Sequence, residues 1–223
     1  MNHDGNMNGH EILRRIAQLP RQNTHTIRAL RREISKELAA ADRHTVMTLA
    51  LELIRSGDAN GRWVAYELVL HHPPARDGIG PAEVERLGEG IAAWSAVDCF
   101  ACFISGPAWR EGHISDDRVH RWARSKNRWW RRAALVSTVP LNVRSQGGSG
   151  DPERTLAICE LLLDDRDAMV VKALSWALRA LSVREGAVVS RFVRQHEGRL
   201  AALVKREVRN KLATGRKNPR VPS

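Results

Sequence analysis

Apolar residues in this chain return at intervals of three and four and almost nowhere at intervals of two, so its segments can bury a face only as helices. The breakers between them are short. Residues 11–19 make a first helix ended by Pro20. Asn23 or Thr24 caps a second that runs to about Ala40, with Ile27, Leu30, Ile34 and Leu38 on its apolar stripe and Arg28, Arg31 and Arg32 off it. Asp42 is a good cap for a third, in which Val46, Leu49, Ala50, Leu53 and Ile54 repeat until Gly57. Residues 58–70 follow as its antiparallel partner, a helical hairpin.

The HHPPARDGIG segment, with two prolines and two glycines, reads as a loop, and Pro81 suits the first position of the next helix. Beyond it the pattern predicts helices over 81–91, 93–105, 115–125, 127–139, 152–163, 167–183 and 186–213, the last broken near Gly198. Residues 144–152, with GGSG at their centre, read as a flexible interruption. About a dozen short helices cannot share one bundle axis, so the expected fold is all-α, a curved superhelical solenoid of HEAT-like antiparallel helical hairpins. The expected division is a disordered tail over 1–9, one helical-repeat domain over 10–213 and a basic tail over 214–223.

A formal net charge of +11 and a pI near 10.7 draw such a chain to polyanions, nucleic acid first and membrane surface second. No apolar run approaches the roughly 20 residues needed to span a bilayer, and the first nine residues lack the layout of a signal peptide. A cytoplasmic protein is expected. Cys99, Cys102 and Cys159 are an odd number, which builds no closed disulfide framework. Cys99 and Cys102 form a CxxC without a second pair, between phenylalanines, and read as helix packing rather than metal or redox chemistry.

Five of the seven tryptophans lie in the stretch from Ala93 to Ala134. Asp98 follows Trp94 by one helical turn, so both side chains leave the same face. Arg128, Arg131 and Arg132 share another stripe, and fixed guanidinium groups there suit phosphates or an acidic partner. In VVKALSWALRAL, Val170, Leu174, Ala177 and Leu181 form the apolar stripe, while Trp176 sits with Lys172 and Arg179. A large ring on a basic face suits contact with a ligand or with the neighbouring repeat. Trp122, flanked by Val119 and Ala123 at helical spacing, reads as core, and Trp63 and Trp130 read likewise. Asp98 fits a site carboxylate, and from spacing alone a solvated surface carboxylate or a salt bridge to an arginine is the alternative.

The order Trp94-x3-Asp98, then WARSKNRWWRRAALVS, then VKALSWALRAL, resembles the bacterial DNA alkylation repair enzymes of the AlkD type, DNA glycosylases built from HEAT-like repeats. The likeness runs from about Thr24 to about Leu181. It implies that Asp98 and Arg132 are catalytic, with Trp94 and Trp176 against the damaged nucleotide, and that cationic 3-alkyladenine and 7-alkylguanine are released from duplex DNA without a metal or organic cofactor. Arg128, Arg131, Lys172 and Arg179, sharing stripes with these residues, are expected to contact phosphates, and a monomer is expected. The first helices lack an aromatic that the family places there, and the segment near Gly147 looks like an insertion. A non-catalytic repeat module that binds damaged or branched DNA is the competing reading, and a protein-binding scaffold is a third that needs no such charge.

Overall fold

The computed structural model describes residues 7–219, and among these every regular element is a helix. The expected tails lie partly outside this range. Within it, the N-terminal expectation changes: Asn8 caps a helix that starts at Gly9, its side chain accepting from the Glu11 amide. The chain falls into two compact units, divided between Ile91 and Ala92.

The first unit holds α1 (Gly9–Ala17), α2 (Thr24–Glu37), α3 (Arg43–Arg55), α4 (Ala59–Leu70), α5 (Pro73–Asp77) and α6 (Pro81–Leu87). Asn23 caps α2 through the His25 and Thr26 amides, and Asp42 and Asp58 cap α3 and α4 in the same way. Each cap removes an orphan donor at a helix start, which contributes about 1 kcal/mol. Gly57, at φ +74°, turns the chain between α3 and α4, and these two helices pack against each other as a hairpin. Ile27, Leu30, Ile34 and Leu38 are buried as a stripe.

Two expectations for this unit need correction, and one residue left open by its pattern is placed. The HHPPARDGIG segment contains α5, because Pro73 and Pro74 occupy the first turn, where a missing N–H costs nothing, and the His72 ring accepts from the Ala75 amide. Arg31, off the apolar stripe, is buried, its Nε donating to Glu67 at 2.9 Å while Arg28 donates to the other oxygen at 3.0 Å. Trp63 is only partly buried and carries the Arg28 guanidinium 5.3 Å above its ring.

The second unit holds α7 (Trp94–Phe100), α8 (Gly106–Arg110), α9 (Asp116–Ala123), α10 (Arg128–Ser137), α11 (Val139–Asn142), α12 (Pro152–Leu161), α13 (Ala168–Leu181), α14 (Gly186–Gln195) and α15 (Ala202–Thr214). The long final helix is broken before Ala202, as expected from Gly198. Helices α7, α10, α13 and α15 pack each against the next. α9, α12 and α14 pair with α10, α13 and α15, so the unit is a stack of HEAT-like hairpins. Ala133, Ala134, Leu135 and Val136 of α10 and Ala173, Ala177 and Leu178 of α13 are buried, and small side chains of this kind let packed helix backbones approach.

Residues 101–105, between α7 and α8, form a π turn, with the Gly106 amide bonding back to the Ala101 carbonyl. Pro107 explains it: a proline has no N–H to offer, and its ring excludes the carbonyl four residues earlier, so the helix widens there. α8 then carries Trp109, wholly buried, whose indole N–H is satisfied by Asp116 at 2.7 Å.

The segment near Gly147 is pinned rather than flexible. The Gly148 and Gly150 amides bond to the Val143 and Leu141 carbonyls at 3.0 Å each, the Asp151 amide to Asn142 Oδ1 at 2.9 Å, and Arg110 to the Gln146 carbonyl. Gly147 and Gly150 supply the positive φ this path needs.

At Gly106 a methyl group would stand 2.6 Å from Pro140 Cγ and 2.8 Å from the Ser137 carbonyl oxygen, so Gly106→Ala must push α8 off α10 and α11. Urea denaturation should show a loss of about 1–3 kcal/mol. Gly198→Ala, where a methyl group meets nothing within 4 Å, should stay within about 0.5 kcal/mol of the parent protein.

Candidate functional site

Asp98 stands near the end of α7 and Arg132 in the first half of α10, 34 positions apart in sequence. Their side chains meet as a fork on a carboxylate: Nε donates to Oδ1 at 2.9 Å and Nη2 to Oδ2 at 2.8 Å. The Arg132 side chain is only 6% exposed and that of Asp98 18%, so the pair is largely withdrawn from water but not sealed. The remaining arm of the fork, Nη1, donates to the Met169 carbonyl at 2.6 Å. That carbonyl lies in the first turn of α13. One guanidinium therefore ties three helices together.

Burial pushes the Asp98 carboxyl above its ordinary value, opposed by the hydrogen bonds and charge of Arg132. Both oxygens accept from the guanidinium, a geometry only the carboxylate can supply. Each oxygen keeps a second lone pair, and the exposed fraction of the side chain lets those lone pairs reach water or substrate. A fixed negative charge with open lone pairs can hold a water, take its proton, or face a developing cation.

Trp94 opens α7 one turn before Asp98 and is 59% exposed, the most exposed tryptophan of the chain's described residues. A bare indole next to a carboxylate is costly in water unless something covers it. Trp176 is half-buried in α13, on a stripe with Met169, Lys172 and Arg179 that begins at the carbonyl held by Arg132. Thus the sequence-predicted residues fall into a bonded pair, an exposed ring on the helix of the acid, and a second ring on the helix that the arginine anchors.

Beneath them lies an aromatic cluster. Trp130 meets Phe100 edge-on at 5.8 Å and Trp122 at 5.1 Å, so α7, α9 and α10 are locked by ring contacts worth about 0.5–1.5 kcal/mol each beyond their buried area. Trp122 is buried as expected, and Trp130, although partly exposed, packs on it. Cys102 is buried close by, and burial with the negative charge of Asp98 raises its thiol to about 12, which leaves it unreactive at neutral pH.

The four cations expected at phosphates are placed unequally. Lys172 is exposed. Arg128 is exposed, stacked 4.7 Å above Trp129 and 3.4 Å from Asp167. Arg131 is half-buried, bonded to Asp165 at 2.6 Å and to the Ser125 and Lys126 carbonyls at 3.0 Å, so most of its donors are spent inside the protein. Arg179 faces Ser175 and Glu207, and burial lowers its pKa. Sequence reasoning missed the acceptors Asp165, Asp167 and Met169 that α10 uses to hold the start of α13. The acidic run before that helix was visible, but its partners lie more than 30 positions away.

Residues 22–212 match the family described as DNA alkylation repair enzyme, which is most of the chain. No curated protein and no solved structure gave a match.

Breaking the central pair from one side should cost far more than removing it whole. Arg132→Ala strands a buried carboxylate and two acceptor sites, and should lower stability by about 3–5 kcal/mol. The double variant Asp98→Leu with Arg132→Met should lose distinctly less than the sum of the two single changes in a double-mutant cycle. Additive losses would show that the fork carries no coupling.

Proposed function

Because the chain belongs to the family of DNA alkylation repair enzymes, we propose that it is a DNA glycosylase that hydrolyses the bond between deoxyribose and a cationic alkylated purine. The observation that carries this reading is the forked Asp98–Arg132 pair, partly open to solvent, on the same helix as an exposed tryptophan. An alkylated purine such as 3-alkyladenine or 7-alkylguanine already bears a positive charge, so it departs as a neutral base and needs no acid to protonate it. The demand falls on the sugar.

As the glycosidic bond lengthens, positive charge develops on the deoxyribose. A carboxylate beside it stabilises that state more than the ground state, and the electrons of the broken bond leave with the base. Asp98 supplies the charge and accepts a proton as water adds to the sugar carbon. Arg132 is the positioning residue: it fixes the carboxylate plane and favours the ionised form against burial. Trp94 and Trp176 offer flat electron-rich faces to the cationic nucleotide, an attraction of about 0.5–2 kcal/mol per contact. Lys172 and Arg128, the more exposed of the expected cations, supply phosphate contacts that carry no sequence information.

Asp98→Asn keeps the side-chain shape and removes the charge. Base release from DNA treated with a methylating agent should fall by a factor on the order of 100 or more, while affinity for DNA holds or rises. A wild-type protein that releases no base, with a variant indistinguishable from it in binding, would move the assignment to a non-catalytic repeat module for damaged DNA. Trp176→Ala should separate from it by weakening binding to methylated duplex more than to undamaged duplex of the same sequence.

A further inference from the structure

The end of the described chain carries a strongly one-sided charge. Between Ala201 and Pro219 stand Lys205, Arg206, Arg209, Lys211, Arg216 and Lys217, against one acid, Glu207. That acid is turned inward: Glu207 is 4% exposed on the face of α15 that packs against α13. Its Oε2 accepts from the Ser175 hydroxyl at 2.6 Å and lies 3.7 Å from Arg179. Its Oε1 lies 3.2 Å from Lys217 and 4.0 Å from Arg206.

Three cations thus converge on one carboxylate, leaving a local excess of two positive charges. Lys217 reaches it because Gly215, at φ +71°, reverses the chain after α15. The returning strand is held as Asn210 donates to the Lys217 carbonyl at 3.1 Å and the Arg216 amide to Thr214 at 3.2 Å. The basic tail is therefore folded back along its helix as far as Lys217. Arg206, Arg209, Arg216 and Lys217 are exposed. A buried carboxylate that gathers more cations than it neutralises fixes where they stand without cancelling their charge, a condition that suits a chain of phosphates.

We propose that α15 and the turn behind it form a second contact surface for the phosphodiester backbone of DNA, continuous through Arg179 with the Trp176 face of α13. This rests on the reading of the chain as a protein that works on DNA. Glu207 is its organising residue: it joins Arg179 of α13 to Arg206 and Lys217 of α15 and its turn.

The test uses the whole chain and an undamaged duplex. Arg206→Gln combined with Lys217→Gln removes two exposed charges and no buried one. The slope of log affinity against log salt should fall by about two units, equally for unrelated sequences. Bound duplex should also shield Lys205, Lys211 and Lys217 from acetylation. An unmoved slope, or lysines as reactive in the complex as in the free protein, overturns the proposal. Base release from methylated DNA is measured alongside. Absence of release with the slope loss intact strikes only the glycosylase reading, whereas release with an unmoved slope strikes only this surface.

Discussion

The candidate site depends on how the Arg132 guanidinium divides its donors. Two arms hold the Asp98 carboxylate of α7 and the third holds the Met169 carbonyl of α13. A lysine at this position would supply a point charge, not a planar fork, and could not fix the carboxylate plane and reach the carbonyl together. The aromatic cluster of Phe100, Trp122 and Trp130 provides the stiff backing that keeps α7 and α10 at the separation the fork requires. Pre-organisation here is sterically demanding, since the ring packing sets α7 and α9 on α10 while the Gly106 contact sets α8 on α10 and α11.

Buried carboxylates surrounded by arginines recur in the two units. Glu67 receives Arg28 and Arg31 in the first, and Glu207 is met by Arg179, Arg206 and Lys217 in the second. In a chain of net charge +11, repulsion among cations opposes compaction, and an inward acid offsets it where the helices meet. The surface can then stay strongly basic without the stack being forced apart.

Helix content and most helix starts were legible because they depend on local chemistry: Asn23 and Asp42 cap the helices expected of them. The Trp94-x3-Asp98 spacing, and with the family resemblance Arg132, could also be read in advance, because each rests on helical periodicity or a motif. What could not be read was pairing at long range. Arg31 and Arg131 look alike as surface arginines, yet Arg31 is held by Glu67 of α4 and Arg131 by Asp165 in the loop before α13. Trp63 and Trp122 both look like core, and only packing leaves the first partly exposed under Arg28. Prolines were misread where position mattered more than identity: Pro73 and Pro74 start α5 in a segment that reads as a loop.

That widened turn has a consequence for how the chain can vary. A π turn holds one residue more than the α-helix it interrupts, so side chains before and after it are out of step by about 100°. Asp98 lies before the turn and Gly106 after it. Loss of one residue from 101–105 would restore a continuous α-helix, yet it would aim the acid and the glycine at the wrong neighbours relative to each other. The length of this helix is thus fixed to the residue by the phase between its two ends.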